Sequence, residues 1–357
     1  MPVSEIAVPI ALAVLRVAVV VAVGFLLARQ GLLRTAALAD LSGLVIRAAA
    51  PSLIFVNAAN GLTGFSPASS FSVLAASPTL LGIGCLAGLA LCRLAGVRPE
   101  HRRAVVAAST FQNSAYLPIA VATSVLPALA GSFPPGAATD PSAIAANSLV
   151  AISLFGVLYS PLFWGFGLWW ITEGRSDRPQ KRLAGLSRLF PPAVLGVLLG
   201  YLVALTPLHL LLTPPGAPLH FVFQAVADVG SLTIPLANLI LGGMLSLSLA
   251  NRAAELKDVL CAVGAKLVLT PAFTLFLLWT CRAWWRGDAA LSLIAFIILL
   301  QAACPPATNL AVMTTGCSGV EGSRTPLVIP GLLLTAYPSA LVLMPLWLLA
   351  FFALLRN

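Results

Sequence analysis

Two short stretches place polar residues in the middle of long apolar runs. The first is FQNSAYLP, Phe111 to Pro118, in the middle of an apolar run from about 105 to about 129. It offers Gln112, Asn113, Ser114 and Tyr116, with Pro118 just behind them. The second is LLQAACPPATNL, Leu299 to Leu310, where Gln301, Pro305, Pro306, Thr308 and Asn309 interrupt another apolar run. Amides and hydroxyls at a break both donate and accept hydrogen bonds. No carboxylate lies in either stretch, so the chemistry is recognition by hydrogen bonding, not acid–base work. A proline inside a helix removes one donor and clashes with the carbonyl four residues back. In hydrocarbon the freed backbone groups are tolerated only inside protein or beside a wet cavity. Each stretch therefore reads as a broken membrane helix with a binding site at the break. A helix N-terminus created there carries free N–H groups and partial positive charge, which suits a carboxylate. Asn113 and Asn309 are expected to face a shared cavity near mid-membrane, where the two breaks cross.

The elements that must position these residues are membrane spans. Of 357 residues, 59% are hydrophobic and only 9% charged, and the mean hydropathy is +1.00. Soluble domains carry roughly 25% charge, so the chain is an all-α polytopic membrane protein. A span needs about 20 apolar residues. The apolar runs lie near 6–28, 39–58, 71–95, 103–130, 142–172, 189–212, 219–250, 258–281, 289–317 and 325–355, which predicts ten transmembrane helices. Fourteen loop cations fall after the odd-numbered spans, and Arg282, Arg286 and Arg356 fall on the other side. That asymmetry places the first set in the cytoplasm and both termini outside. The net charge of +9 is thus a topology signal and does not imply nucleic acid.

The spans divide into two sets. Pro51 and Pro235 stand 184 positions apart, and Pro118 and Pro305 stand 187 apart. Five spans is an odd number, so a second copy of a five-span unit is upside down. Two inverted five-helix repeats, 1–172 and 189–357, are expected, joined by a short basic cytoplasmic linker at 173–188. Broken helices 4 and 9 then cross at the centre, the arrangement in which secondary transporters bind their cargo.

Four charges fall inside spans: Arg16, Arg47, Lys266 and Asp228. Such groups are costly and face a partner, a bundle interior or a cavity. At about 1.5 Å per residue, Arg16 and Arg47 lie about 15 Å from the outer surface and Asp228 about 12 Å. Lys266 lies about 12 Å from the inner surface on the same scale. Arg16 and Asp228 share a depth and are expected to form a buried pair. Arg47 stands one turn before Pro51 and joins the candidate binding residues. Lys266 is a structural or coupling charge. Together the four leave a formal mid-membrane charge of +2, which suits an anion. The cysteines form no CxxC pair and read as small buried hydrophobes. His101, His209 and His220 fall at span ends and read as interfacial. No Ser/His/Asp set, acid pair or metal-ligand cluster lies in the spans, so neither an enzyme nor a cofactor or metal is expected.

Several motifs in order carry a family resemblance. They are IAVPIALAVLRVAVVVAVGFLLARQGLL at the start, LVIRAAAPSLIFVNAA in span 2, FQNSAYLPIAV in span 4, IPLANLILGGML in span 7 and QAACPPATNLAV in span 9. The sequence resembles the auxin efflux carrier family, which includes plant PIN proteins, the PIN-likes, fungal relatives and bacterial permeases. The resemblance implies ten spans, crossed spans 4 and 9, and a scaffold part moving against a transport part. It places Asn113 and Pro118 at the span 4 crossover, and Pro305 with Pro306 at the span 9 crossover. The short central loop departs from the long hydrophilic loop of many plant PIN proteins and points to a PIN-like, short-loop or microbial carrier. The expected activity is export of an organic anion, either an auxin-like amphipathic carboxylate or a small dicarboxylate. The bilayer and that anion are the expected partners, with a homodimer left open. The membrane would be the plasma or inner membrane, or the endoplasmic reticulum for a PIN-like protein. A sodium-coupled symporter of the bile-acid type and a non-transporting ligand sensor remain as alternatives.

Overall fold

The fold is known from a computed structural model that describes residues 3–59, 65–171, 192–248, 254–310 and 325–356. Those residues are helical throughout, with no strand among them beyond one isolated bridge. The first part runs α1 (Val3–Arg29), α2 (Thr35–Leu44), α3 (Ala50–Ala59), α4 (Pro67–Leu94), α5 (Pro99–Thr110), α6 (Tyr116–Leu129), α7 (Ile144–Pro161) and α8 (Leu168–Ile171). The second runs α9 (Pro192–Leu205), α10 (Leu208–Leu212), α11 (His220–Ser231), α12 (Thr233–Ser248), α13 (Leu256–Val263), α14 (Thr270–Thr280), α15 (Arg282–Trp285), α16 (Ala289–Ala303) and α17 (Thr325–Arg356). Five described helical stretches are long and apolar enough to cross a membrane: Thr35–Val56, Pro67–Leu94, His220–Leu247, Leu256–Thr280 and Val328–Leu355. The expected basic linker at 173–188 lies outside the described residues.

Sequence chemistry starts and stops these helices. Ser66 accepts from the Ser69 N–H at 3.2 Å, with Pro67 in the first helical turn of α4. Asp288 accepts from the Leu291 N–H at 2.8 Å at the start of α16. Both are side-chain caps for donors that a helix start leaves unpaired. Prolines shape the interiors. Wide π turns occupy Val45–Ala49 just before Pro51, and Gly264–Leu269 just before Pro271. Pro271 has no N–H to offer the carbonyl of Leu267, four residues back. The Trp347 indole N–H takes that role instead, at 2.8 Å. The Thr270 hydroxyl donates to the Ala265 carbonyl at 2.7 Å. The indole thus satisfies a carbonyl that a lipid environment could not.

Small residues let two helix pairs touch backbone to backbone. A Cβ on Gly242 of α12 would fall 1.9 Å from the Val21 carbonyl oxygen of α1. On the other side, a Cβ on Gly196 of α9 would fall 2.5 Å from the Pro51 carbonyl oxygen of α3. Membrane helices lack a hydrophobic drive to associate, so close packing at small residues does that work. The deepest packing lies elsewhere, around α6, α7, α16 and α17, where Leu126, Leu129, Phe296, Leu300 and Phe351 are fully buried.

Three expectations are corrected here. Arg16 and Asp228 are both exposed, and no ion pair joins them among the described residues. α1 packs along α12, whereas Asp228 lies on α11. Equal depth along two helices does not place their side chains on facing sides. His101 is not interfacial: it is buried, and its Nδ1 lies 2.7 Å from Oδ2 of the fully buried Asp258. The cysteines are not uniformly buried either, since Cys281 is exposed at the end of α14.

The His101–Asp258 contact ties the start of α5 to the start of α13. The same carboxylate accepts the Glu255 N–H at 2.9 Å and so caps α13. Glu255 itself pairs with Arg98 at 2.9 Å, but both side chains are partly exposed. Burial separates the two. Asp258→Ala should destabilise the protein by about 3–5 kcal/mol, because it strands a buried partner. Glu255→Ala should cost about 1 kcal/mol or less. Thermal unfolding of the two variants in detergent measures the difference, and equal melting temperatures would remove the pair from the stability account.

Candidate functional site

α5 stops at Thr110, and its last two side chains fold back on the preceding turn. Ser109 donates to Val105 O at 2.8 Å and Thr110 to Val106 O at 2.7 Å. The chain then runs extended through Phe111 and restarts as α6 at Tyr116. Pro118 is the third residue of α6, in the first turn, where a missing N–H costs no helical bond. α16 likewise stops at Ala303, turns extended at Cys304, and passes through Pro305 and Pro306 before helical backbone resumes at Asn309.

The two interruptions meet. Asn113 donates its N–H to the Pro305 carbonyl at 2.8 Å, and Ala307 donates to the Phe111 carbonyl at 2.9 Å. Gln112 and Pro306 form an antiparallel bridge between them. Each break thereby supplies the hydrogen bonds that the other lacks.

Side chains from neighbouring helices close the remaining gaps. Tyr159 of α7 donates to the Gln112 carbonyl at 2.6 Å. Tyr337 of α17 donates to the Pro306 carbonyl at 3.0 Å and accepts from Asn113 Nδ2 at 2.9 Å. Asn113 Oδ1 accepts from the Leu117 N–H at 3.4 Å, at the N-terminal end of α6. Gln301 Nε2 donates to the Ser114 carbonyl at 2.8 Å. From α13–α14, Lys266 Nζ reaches Gln112 Oε1 at 3.4 Å. Phe111 meets Phe163 edge-on at 5.3 Å, and Phe163 stacks on Tyr159 at 5.7 Å.

The breaks therefore bring together Gln112, Asn113, Ser114, Gln301, Pro305, Pro306 and Lys266. Pro118 is buried in α6, and Thr308 is buried beside the bridge. Asn309 is partly exposed at the restart of helix 9. The Tyr116 side chain lies outside the described residues. Both ends of the Asn113 amide are used within the protein. Arg47 is not at the crossover: it sits exposed in the π turn ahead of α3, and its flexible stem allows the charge to reach outward. Among the described residues, two amide atoms at the crossover are buried with no partner, Gln112 Nε2 and Gln301 Oε1.

Sequence reasoning missed Tyr159 and Tyr337. Each is a lone tyrosine in an apolar helix, and its only signal is the hydroxyl itself, which needs a partner when buried. Among the described residues, no cluster of three or more His, Cys, Asp or Glu could hold a metal ion.

Apolar helices of spanning length and a buried polar crossover define an integral membrane protein. The chain belongs to the membrane transport protein family, whose profile matches residues 9–348, and the resemblance to auxin efflux carriers is borne out at that level. It is similar to Protein PIN-LIKES 3 of Arabidopsis thaliana, 29% identical over 150 residues, covering 40% of this chain and 38% of that protein. It is also similar to Protein PIN-LIKES 4 of the same plant, 31% identical over 156 residues, covering 40% and 37%. The matching stretch spans well under half the length of either relative.

Tyr337 carries the most contacts at the crossover for a single hydroxyl. Tyr337→Phe should strip a donor from the Pro306 carbonyl and an acceptor from Asn113. We expect a loss of about 1–3 kcal/mol. Amide hydrogen exchange should quicken selectively at 111–117 and 304–310. An unfolding midpoint and exchange pattern equal to wild type would show that the tyrosine hydroxyl holds nothing together.

Proposed function

We propose that this protein is a secondary membrane transporter that moves an organic anion by alternating access, with the cargo bound where the two broken helices cross. The single observation that carries this reading is the reciprocal bridging of the breaks at Phe111–Ser114 and Pro305–Ala307. An expensive interruption is retained at matching places in both halves of the chain. Among the described residues it is lined by amides and a lysine, with no acid. The cargo we favour is an amphipathic carboxylate, since aromatic rings of Phe111, Tyr159 and Phe163 stand next to the polar groups. Membership of the transport family and similarity to PIN-like proteins support the same direction.

The architecture behind this proposal is ten spans in two inverted five-helix repeats. Its support is a pair of equivalent contacts. Under such a repeat, span 1 corresponds to span 6 and span 2 to span 7. The glycine-mediated contact of α1 with α12 then has its counterpart in the contact of α9 with α3. Asn113, Gln112, Gln301, Thr308 and Asn309 are the residues proposed to meet the cargo. Asn113 would have to release Tyr337 to do so, which makes the observed crossover a closed state of the site.

Flux tests the proposal. Purified protein in liposomes should exchange a radiolabelled organic acid, and Asn309→Leu should abolish exchange with little change in melting temperature. Pro118→Ala should alter transport more than stability. Single cysteines at 180 and 356 should label from opposite sides of the membrane. Labelling from one side would overturn the ten-span arrangement. Ligand binding without any flux would instead make the protein a sensor.

A further inference from the structure

We infer that Lys266 is the group that recognises the negative charge of the cargo, with the free amide N–H of Gln112 as the second donor, and that the site takes a monoanion; this rests on the carrier reading above. Lys266 is fully buried in the π turn between α13 and α14, and that turn packs against α4, α5, α16 and α17. Its ammonium has three donors to place. The one hydrogen-bond partner it finds among the described residues is a neutral amide oxygen, Gln112 Oε1, at 3.4 Å. That is longer than an ordinary N–H···O bond. The ion pairs formed among the described residues are Arg98–Glu255, His101–Asp258 and Lys257–Glu255, so none of these carboxylates serves Lys266. A buried ammonium without an anion is strongly disfavoured. An anion brought by the cargo supplies what the described residues leave out.

The neighbouring amide points the same way. Gln112 turns its carbonyl oxygen to Lys266, which leaves Nε2 buried and unpartnered. The reverse orientation would set two donors against each other, so the free atom at this place is a donor. The turn that carries Lys266 also packs against α5 and α16, the helices that end at the two interruptions. Asn113 is less suited to this role, since its amide is already engaged with Tyr337 and Leu117.

Charge counting sets the valence. Arg16 and Arg47, the other intramembrane cations, are exposed. His101 is buried at the far end of α5 and is matched by Asp258. One unmatched positive charge at the crossover balances one negative charge. A monocarboxylate fits, and a dicarboxylate would carry a second charge with nothing to meet it.

The test is a binding panel on the full chain in detergent, read by calorimetry. The probes are straight-chain and arylalkyl monocarboxylates, their primary amides, and four- to six-carbon dicarboxylates. Wild type should bind at least one monocarboxylate and bind its amide far more weakly. Lys266→Met should lose roughly 30-fold or more in affinity for that acid, while its melting temperature without ligand stays at or above wild type. Lys266→Arg should keep the preference for acid over amide. Gln112→Leu should weaken acid binding without improving amide binding, and it reads the same site if Lys266→Met fails to fold. Undiminished acid binding by Lys266→Met, or by Gln112→Leu, would overturn the inference and leave the carrier reading standing. A wild-type preference for dicarboxylates would overturn the monoanion assignment. No response of wild type to any acid would overturn the organic-anion reading itself.

Discussion

Everything at the centre of this protein depends on one constraint: a backbone carbonyl or N–H that leaves a helix inside hydrocarbon must find a partner in the protein. Two helices break, and each would strand polar groups alone. Together they form a short antiparallel bridge, with Asn113 donating to Pro305 and Ala307 donating to Phe111. The bridge is the cheapest complete solution for two adjacent extended segments, because it needs no water and no extra chain. It also fixes the geometry of the site. Gln112 and Pro306 are held opposite each other, so the side chains around them converge on one point in the bundle.

The same constraint explains the surroundings. Tyr159, Tyr337 and Gln301 each donate to a carbonyl in or beside the breaks. Trp347 does so for the π turn that carries Lys266. α17 contributes both Tyr337 and Trp347, so one long helix supports the crossover and the turn at once. A shift of α17 would expose polar groups at two places together. Packed cores pass between discrete arrangements and do not deform smoothly, so a support shared by two sites couples them.

Much of this was legible in the sequence, and the limits are physical. Composition and apolar run length located the helices, because a bilayer demands about 20 apolar residues. The runs expected at 71–95 and 258–281 correspond to α4 and to α13–α14. The positions of both breaks followed from Pro118 and from Pro305 with Pro306, since proline acts locally. Azimuth was not legible. The proposed Arg16–Asp228 pair rested on depth alone, and the two side chains are exposed on helices that turn them elsewhere. His101 and Asp258 are 157 positions apart, and no local pattern announces a pairing at that distance. Tyr337 was invisible for a similar reason, as its partners come from other helices.

Lys266 shows how depth and azimuth combine. Its depth could be estimated from the chain, but its neighbour could not. Pro271 widens the helix into a π turn over 264–269, and an inserted residue rotates everything before it relative to everything after it. The lysine is thereby aimed at Gln112 while α13, below it, keeps Asp258 against His101. α5 with its exit segment is thus joined twice to α13 with its π turn, by a buried His101–Asp258 contact at one end and by the Gln112–Lys266 contact at the other. Each contact leaves a buried polar atom without a partner among the described residues, His101 Nε2 and Asp258 Oδ1 at the first and Gln112 Nε2 at the second. Among the described residues, a few buried polar atoms lack a partner, and Gln112 Nε2 and Gln301 Oε1 are two of them, both where the broken helices meet. Unpaired donors in a low-dielectric interior cost free energy unless an acceptor arrives. The crossover is therefore the structural keystone of the fold and a place where an added hydrogen-bond acceptor would lower its energy.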